Sequence, residues 1–207
     1  MTASPDVKDV ANYFIWRANN SEQSLGIDAA ITNMKLQKLL YYAQGYNLAL
    51  FGKVIFHDFI SAWEHGPVVG ELYHEFREYG SNPVQIVGNF SPNSIDSRTR
   101  SILERVFEEY GRRSAWELRE LTHSEIPWLS TPQKKVISVT KMDDYFKTKL
   151  VSMEPMPKLP ESLTAVEREH ILRSMISSQA LEGIYATREE AEHALDLALS
   201  MPVVKIG

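Results

Sequence analysis

Ser178 and Glu182 stand four residues apart, and Gly183 follows at once, in the segment Ser178-Gln179-Ala180-Leu181-Glu182-Gly183 near the C-terminus. On a helix that spacing puts a hydroxyl and a carboxylate on one face, and the glycine suits the left-handed position that ends a helix. A carboxylate held there can fill the planar fork of an arginine through two parallel hydrogen bonds, withdrawing donors that a phosphate would otherwise use. Ile171, Met175, Ser178 and Glu182 share the helical face, beside Leu172 and Ile176, so an apolar docking stripe ends in the acid. The expected partner-binding set is therefore Ile171, Met175, Ser178, Glu182 and Gly183. The competing account makes Glu182 an ordinary exposed carboxylate and Gly183 a helix stop, with the stripe packed back onto the rest of the chain.

Other chemistry is weaker. Six histidines, among them His57, His65 beside Glu64, His74, His123 and His170, offer acid-base or metal-binding groups, but none falls in a recognised ligand spacing. HExxH, a glycine-rich phosphate loop, a Gly-x-Ser-x-Gly elbow and paired acidic metal motifs are all missing from the sequence. The expectation is a binding protein with no catalytic residue, no metal and no cofactor; a small hydrolase or metal enzyme built on Glu64 and His65 is the rival from another class. Arg112-Arg113 and Lys134-Lys135 are too short and too separated for a nucleic-acid stripe. With a formal net charge of -5, the chain repels a phosphate backbone on average, so nucleic acid is an unlikely partner outside autoregulation.

The chain that must position these residues has 207 of them, 43% apolar and 24% charged, enough for one ordinary core plus an appendage. No apolar run reaches the roughly 20 residues needed to span a bilayer, and Met1 to Asp6 lacks the regions of a secretory signal, so a cytoplasmic protein is expected. It has no cysteine, which rules out disulfides and thiol chemistry.

A first helix is signed by Ser4 as cap, Pro5 in the first turn and Asp6 at its positive end, with Val7, Val10, Ala11, Phe14, Ile15 and Ala18 repeating helically. A second starts near Thr32 or Asn33, carries Leu36, Leu39, Leu40, Ala43, Asn47 and Leu50 on one face, and stops at Gly52. Val54 to Trp63 reads as one or two short strands or an extended stretch. Pro67 then opens a helix with Val69, Leu72, Tyr73 and Phe76 buried and Gly80 just past its end. Residues 81–96 read as a loop with room for a strand at Val84 to Val87, followed by a helix from Ser97 to Tyr110. Ser114 and Glu117 have capping-box spacing for a short helix carrying Trp116, Leu118 and Leu121, broken at Pro127 and Trp128. Val136 to Val139 reads as extended and Met142 to Leu150 as helical. Pro155, Pro157 and Pro160 mark a semi-extended linker over 152–163. Beyond it, Thr164 with Glu167 and Thr187 with Glu190 each have capping-box spacing, so 164–207 reads as two helices around a turn at Gly183. The expected fold is mainly α with small β elements: one helical domain over 1–151, the linker, and the two-helix tail.

Two stretches resemble known families. Met34-Lys35-Leu36-Gln37-Lys38-Leu39-Leu40-Tyr41-Tyr42-Ala43-Gln44-Gly45, then Ala62-Trp63-Glu64-His65-Gly66-Pro67-Val68-Val69, is similar to the Panacea domain. Leu118 with Leu121-Thr122-His123, Pro127-Trp128 and Tyr145-Phe146 extend the likeness over about Val7 to Leu150. The resemblance implies an antitoxin of the SocA and GepA types, a mostly helical domain that binds and neutralises a toxin, in one branch also acting as a proteolytic adaptor. By periodicity Leu36, Leu39, Leu40 and Ala43 belong to the core and Gly66-Pro67 to a rigid corner, whereas Lys35, Gln37, Lys38 and Gln44 fall off the apolar stripe, where they stay solvated or meet a partner. Arg173 to Leu199, around Ser178, Glu182 and Gly183, resembles the small VbhA-type antitoxins of Fic enzymes. That resemblance implies that Glu182 pairs with an arginine of a Fic-type toxin's nucleotide site and keeps the ATP phosphates out of the orientation needed for adenylyl transfer.

Overall fold

The structure is a computed structural model that describes residues 5–20, 30–152 and 169. The chain divides into two units, Met1–Met153 and Glu154–Gly207. In the second, only Glu169 is described; it is helical and half-buried. The first unit is mainly helical, with one small antiparallel hairpin.

Helix α1 spans Val7–Asn19 and buries Val7, Val10, Ala11, Phe14 and Ile15, as their spacing predicts. Its cap differs from the expectation: Asp6, in extended conformation, accepts the Lys8 N–H through its side chain at 2.9 Å, and Pro5 precedes the helix. A short acid at that position satisfies an orphan N–H and also complements the positive helix end. Ser4 lies outside the described residues.

Helix α2, Asn33–Phe51, is the axle of the domain. Thr32 caps it by accepting the Lys35 N–H, and Gly52 ends it in the left-handed conformation at φ 63°, as read from the sequence. A single buried face was expected; instead every residue from Lys35 to Leu48 is buried, because α1, the hairpin and three later helices pack around it. A helix covered on all sides must satisfy its polar side chains internally. Leu50, expected on the buried face, is 42% exposed where the helix leaves the core.

Strands β1 (Ile60–Trp63) and β2 (Gly66–Val69) pair antiparallel, in register Ile60 with Val69 and Trp63 with Gly66. Pro67, expected to open a helix, lies in β2 opposite Ala62; α3 begins only at Gly70 and ends at Glu75. Proline is tolerated because β2 is an edge strand, where a missing N–H breaks no further ladder. Leu72 and Phe76 are buried as expected, and Gly80, at φ 56°, ends a 3-10 turn over Arg77–Tyr79. Val84 to Val87 forms no strand; a lone bridge joins Thr32 to Pro83, and Val84 N–H donates to the Ile31 carbonyl.

Helix α4 runs Ser97–Tyr110, the predicted span, with Asp96 as cap to the Arg98 and Thr99 N–H groups. Burial works against the charge on Asp96, but these hydrogen bonds outweigh it and hold its carboxyl below the usual range. Helix α5, Ala115–His123, has the predicted capping box, Ser114 and Glu117 each satisfying the other's backbone. Trp116, however, is 59% exposed, under the Arg119 guanidinium. Pro127 and Trp128 fall in a one-turn helix, α6, over Ile126–Leu129. Helix α7, Val139–Ser152, begins earlier than expected, and Val136 makes a lone bridge to Ser61. Phe146 of α7 reaches α2 at Gly45, where any Cβ would enter its ring. No helix among the described residues is long and apolar enough to cross a membrane.

Candidate partner-binding site

The polar residues of α2 that fall off its apolar stripe turn inward. Lys35, Gln37, Lys38 and Gln44 are all under 5% exposed, which overturns the expectation of a solvated or partner-facing row. Gln37 donates to Asn33 Oδ1 at 3.1 Å and accepts the Val69 N–H at 2.9 Å. Asn33 donates to the Tyr73 carbonyl at 3.0 Å, and Lys38 Nζ donates to the Pro67 carbonyl at 3.1 Å. Further along, Gln44 accepts the Ile55 N–H at 2.7 Å and donates to the Phe56 carbonyl at 2.8 Å. Their task is to receive the backbone of the hairpin and its approach, the groups that a two-stranded sheet leaves unpaired.

Gly66 makes the approach possible. At φ 102° it turns the hairpin, and a Cβ there would lie 2.6 Å from Lys38 Cε. Trp63, at the end of β1, packs edge-on against Tyr73 at 5.2 Å, and its carbonyl accepts the Trp128 indole N–H at 2.9 Å. That last bond ties α6 to the hairpin, and His123 stacks on the same Trp128 at 3.8 Å. A pocket of about 270 Å³ opens beside the corner, lined by Met34, Lys38, Trp63, His65, Tyr73 and Lys134 among others. The motif residues of α2 and of the corner thus build one place.

Three charged side chains are buried among the described residues, Lys35 and Lys38 on the axle and Glu125 beside it. Glu125, 3% exposed, accepts from Lys149 Nζ at 2.6 Å and from the Tyr42 hydroxyl at 3.2 Å. Burial first, then the Glu125 charge, raises the Tyr41, Tyr42 and Tyr145 hydroxyls, so these stay protonated. Lys38 has no carboxylate partner among the described residues. Burial, and secondarily the Arg119 guanidinium, lowers its pKa from 10.5 to about 7.

That depression carries a sign. Between about pH 7 and 10.5 the folded protein holds fewer protons at Lys38 than the unfolded chain does. The cost of burying the amine is therefore complete below pH 7 and is relieved as pH rises. The stability of the native chain relative to Lys38→Met should improve from pH 7 to pH 9, by up to roughly 1.4 kcal/mol per pH unit. Urea denaturation of both proteins at the two pH values checks it; a constant difference would contradict a buried, unpaired amine.

The sequence-predicted set behaves differently. Ile171, Met175, Ser178, Glu182 and Gly183 all lie outside the described residues, as do the linker and the two expected tail helices. Glu64 and His65 form the exposed hairpin turn, and no group of three His, Asp or Glu side chains able to hold a metal exists among the described residues. Exposed apolar side chains were not anticipated as site residues. Phe59 is 74% exposed, Ile126 60%, Leu129 58% and Val136 48%, on or beside the segments that frame the corner. Their sequence signal was misleading, since Ile126, Leu129 and Val136 sit in short segments without a readable period.

Residues 36–129 match the family described as antitoxin SocA-like, Panacea domain. The chain is similar to Antitoxin SocA of Caulobacter vibrioides (strain NA1000 / CB15N), 32% identical over 138 residues, covering 60% of this chain and 69% of that protein. No solved structure matches.

Proposed function

The chain belongs to the SocA-like antitoxins that carry a Panacea domain, and from that membership we propose that it neutralises a protein toxin by direct binding, with Glu182 placed in the nucleotide site of a Fic-type adenylyltransferase. The family match is the observation that carries the antitoxin role, and an antitoxin requires a toxin as partner. The narrower target is supported by the Ser178, Glu182, Gly183 spacing beyond the proline-rich stretch and by the apolar stripe through Ile171 and Met175. In this scheme the chain carries out no reaction. Its carboxylate occupies the arginine that would orient the ATP phosphates, and removing one such positioned contact from a transition state costs about 2.7–4 kcal/mol, or 10²–10³ in rate.

A second reading assigns neutralisation to the first domain, against a toxin of any chemistry. It is favoured by the exposed Phe59, Ile126, Leu129 and Val136, apolar groups that a binding face would cover. Truncation after Leu150 separates the two. Under the first reading, cells that co-express the partner toxin lose protection when the tail is removed. Under the second, protection persists, and the Fic-directed role of the tail is then wrong.

A further inference from the structure

The pocket at the hairpin corner combines features that the structural role of its residues does not use. Its wall is aromatic and apolar: Trp63, Tyr73, Met34 and Val68. Lys38, 1% exposed, also lines it; its side-chain nitrogen donates to the Pro67 carbonyl and has no ion-pair partner among the described residues. A lysine nitrogen can donate more than one hydrogen bond, so among the described residues binding capacity there is left unspent. Lys134 is a further lining residue and the one non-glycine residue with positive φ, 65°, among the described residues. That conformation is strained for a lysine and is held by its N–H donating to the Ala62 carbonyl at 2.6 Å. His65 also lines the pocket, and among the described residues Glu64 is the only acid that does.

We infer that this pocket receives an acidic side chain set beside an aromatic one on the protein partner, the carboxylate meeting Lys38 and Lys134 and the ring lying against Trp63, Tyr73 and Val68. The inference rests on the toxin-binding reading and names the part of the first domain that makes contact. Charge complementarity selects the acid, since two lysines and one glutamate line the pocket. Size favours a protein side chain over a free metabolite: about 270 Å³ is below the roughly 300–1,000 Å³ typical of small-molecule sites. A carboxylate brought to Lys38 would meet an amine with no counter-ion, in surroundings where a charge-assisted hydrogen bond is strong.

The test needs no toxin, so its failure is separable from failure of the antitoxin reading. The full-length chain is titrated, with amide chemical shifts recorded, against acetyl-Glu-Phe-amide, acetyl-Gln-Phe-amide and phenylacetate. Expected is saturable binding of the glutamate peptide, shifting Gly66, Val68 and Lys134, with at least ten-fold weaker binding of the glutamine peptide. Lys38→Met and the exposed-site variant Lys134→Glu should each weaken the glutamate peptide by a similar factor. Lys134→Glu guards against Lys38→Met failing to fold. Equal affinity for the two peptides, no saturable binding of either, or binding of phenylacetate alone would each overturn the inference.

Discussion

Cells that carry the partner toxin and a Glu182→Gly variant should lose protection, although the variant is expected to fold and bind as the native chain does. The substitution removes one carboxylate and leaves the apolar stripe through Ile171 and Met175 in place. If Glu182 acts by filling an arginine fork, toxin activity should rise by about 10²–10³, the range for loss of one positioned electrostatic contact. Glu182→Gln tests the charge specifically, because an amide keeps the size but cannot accept two guanidinium hydrogen bonds as a carboxylate does. Growth of co-expressing cells, together with the amount of toxin recovered in complex, gives the readout. Protection undiminished in both variants would remove Glu182 from the mechanism.

Phe146→Ala should be the most destabilising single change in the first domain. The ring is fully buried, edge-on to Tyr41 at 5.3 Å, Tyr46 at 5.0 Å and Tyr42 at 6.1 Å, and it fills the space that Gly45 leaves open on α2. Its removal leaves a void between rings that are themselves fixed: Tyr42 stacks on Tyr110 at 3.9 Å, and the Tyr46 and Tyr110 hydroxyls hydrogen-bond at 2.8 Å. Such a site cannot collapse easily, so a loss of about 3–5 kcal/mol is expected, visible as a fall in Tm on the order of 10 °C. Phe59→Ala is the control. With Phe59 74% exposed, that change should alter stability by less than about 0.5 kcal/mol, and any effect on neutralisation then reports binding. A small loss from Phe146→Ala would mean that α7 does not close the core.

Much of this scaffold can be read from local signals. Thr32 and Gly52 bracket α2, the Ser114 and Glu117 pair starts α5, and the apolar period of α4 runs from Ser97 to Tyr110, since each depends on residues within a turn or two of one another. What fails depends on pairing and enclosure that a local period does not show. Pro67 reads as a helix start because nothing nearby shows that it pairs with Ala62 across a tight turn. Lys38 reads as a surface lysine because its helix is enclosed only when α5, α7 and the hairpin arrive. The same holds for Gln37 and Gln44, whose hydrogen-bond partners lie 32 and 11 residues away. A polar residue on an apolar helix is ambiguous until the surroundings are known. Trp116 fails in the opposite direction, being apolar, correctly spaced and yet exposed. Of the site, the motif at Ser178, Glu182 and Gly183 is legible as chemistry, whereas the corner pocket is not, since it is assembled from α2, the hairpin and Lys134.

Inhibition by direct contact is tested most directly on the toxin purified in complex with this chain, by measuring transfer of labelled AMP from ATP. Expected is a silent complex with the native chain and an active one with Glu182→Gly, at equal binding stoichiometry. Equal silence of both complexes, or a toxin that transfers no AMP when freed of the native chain, would contradict it.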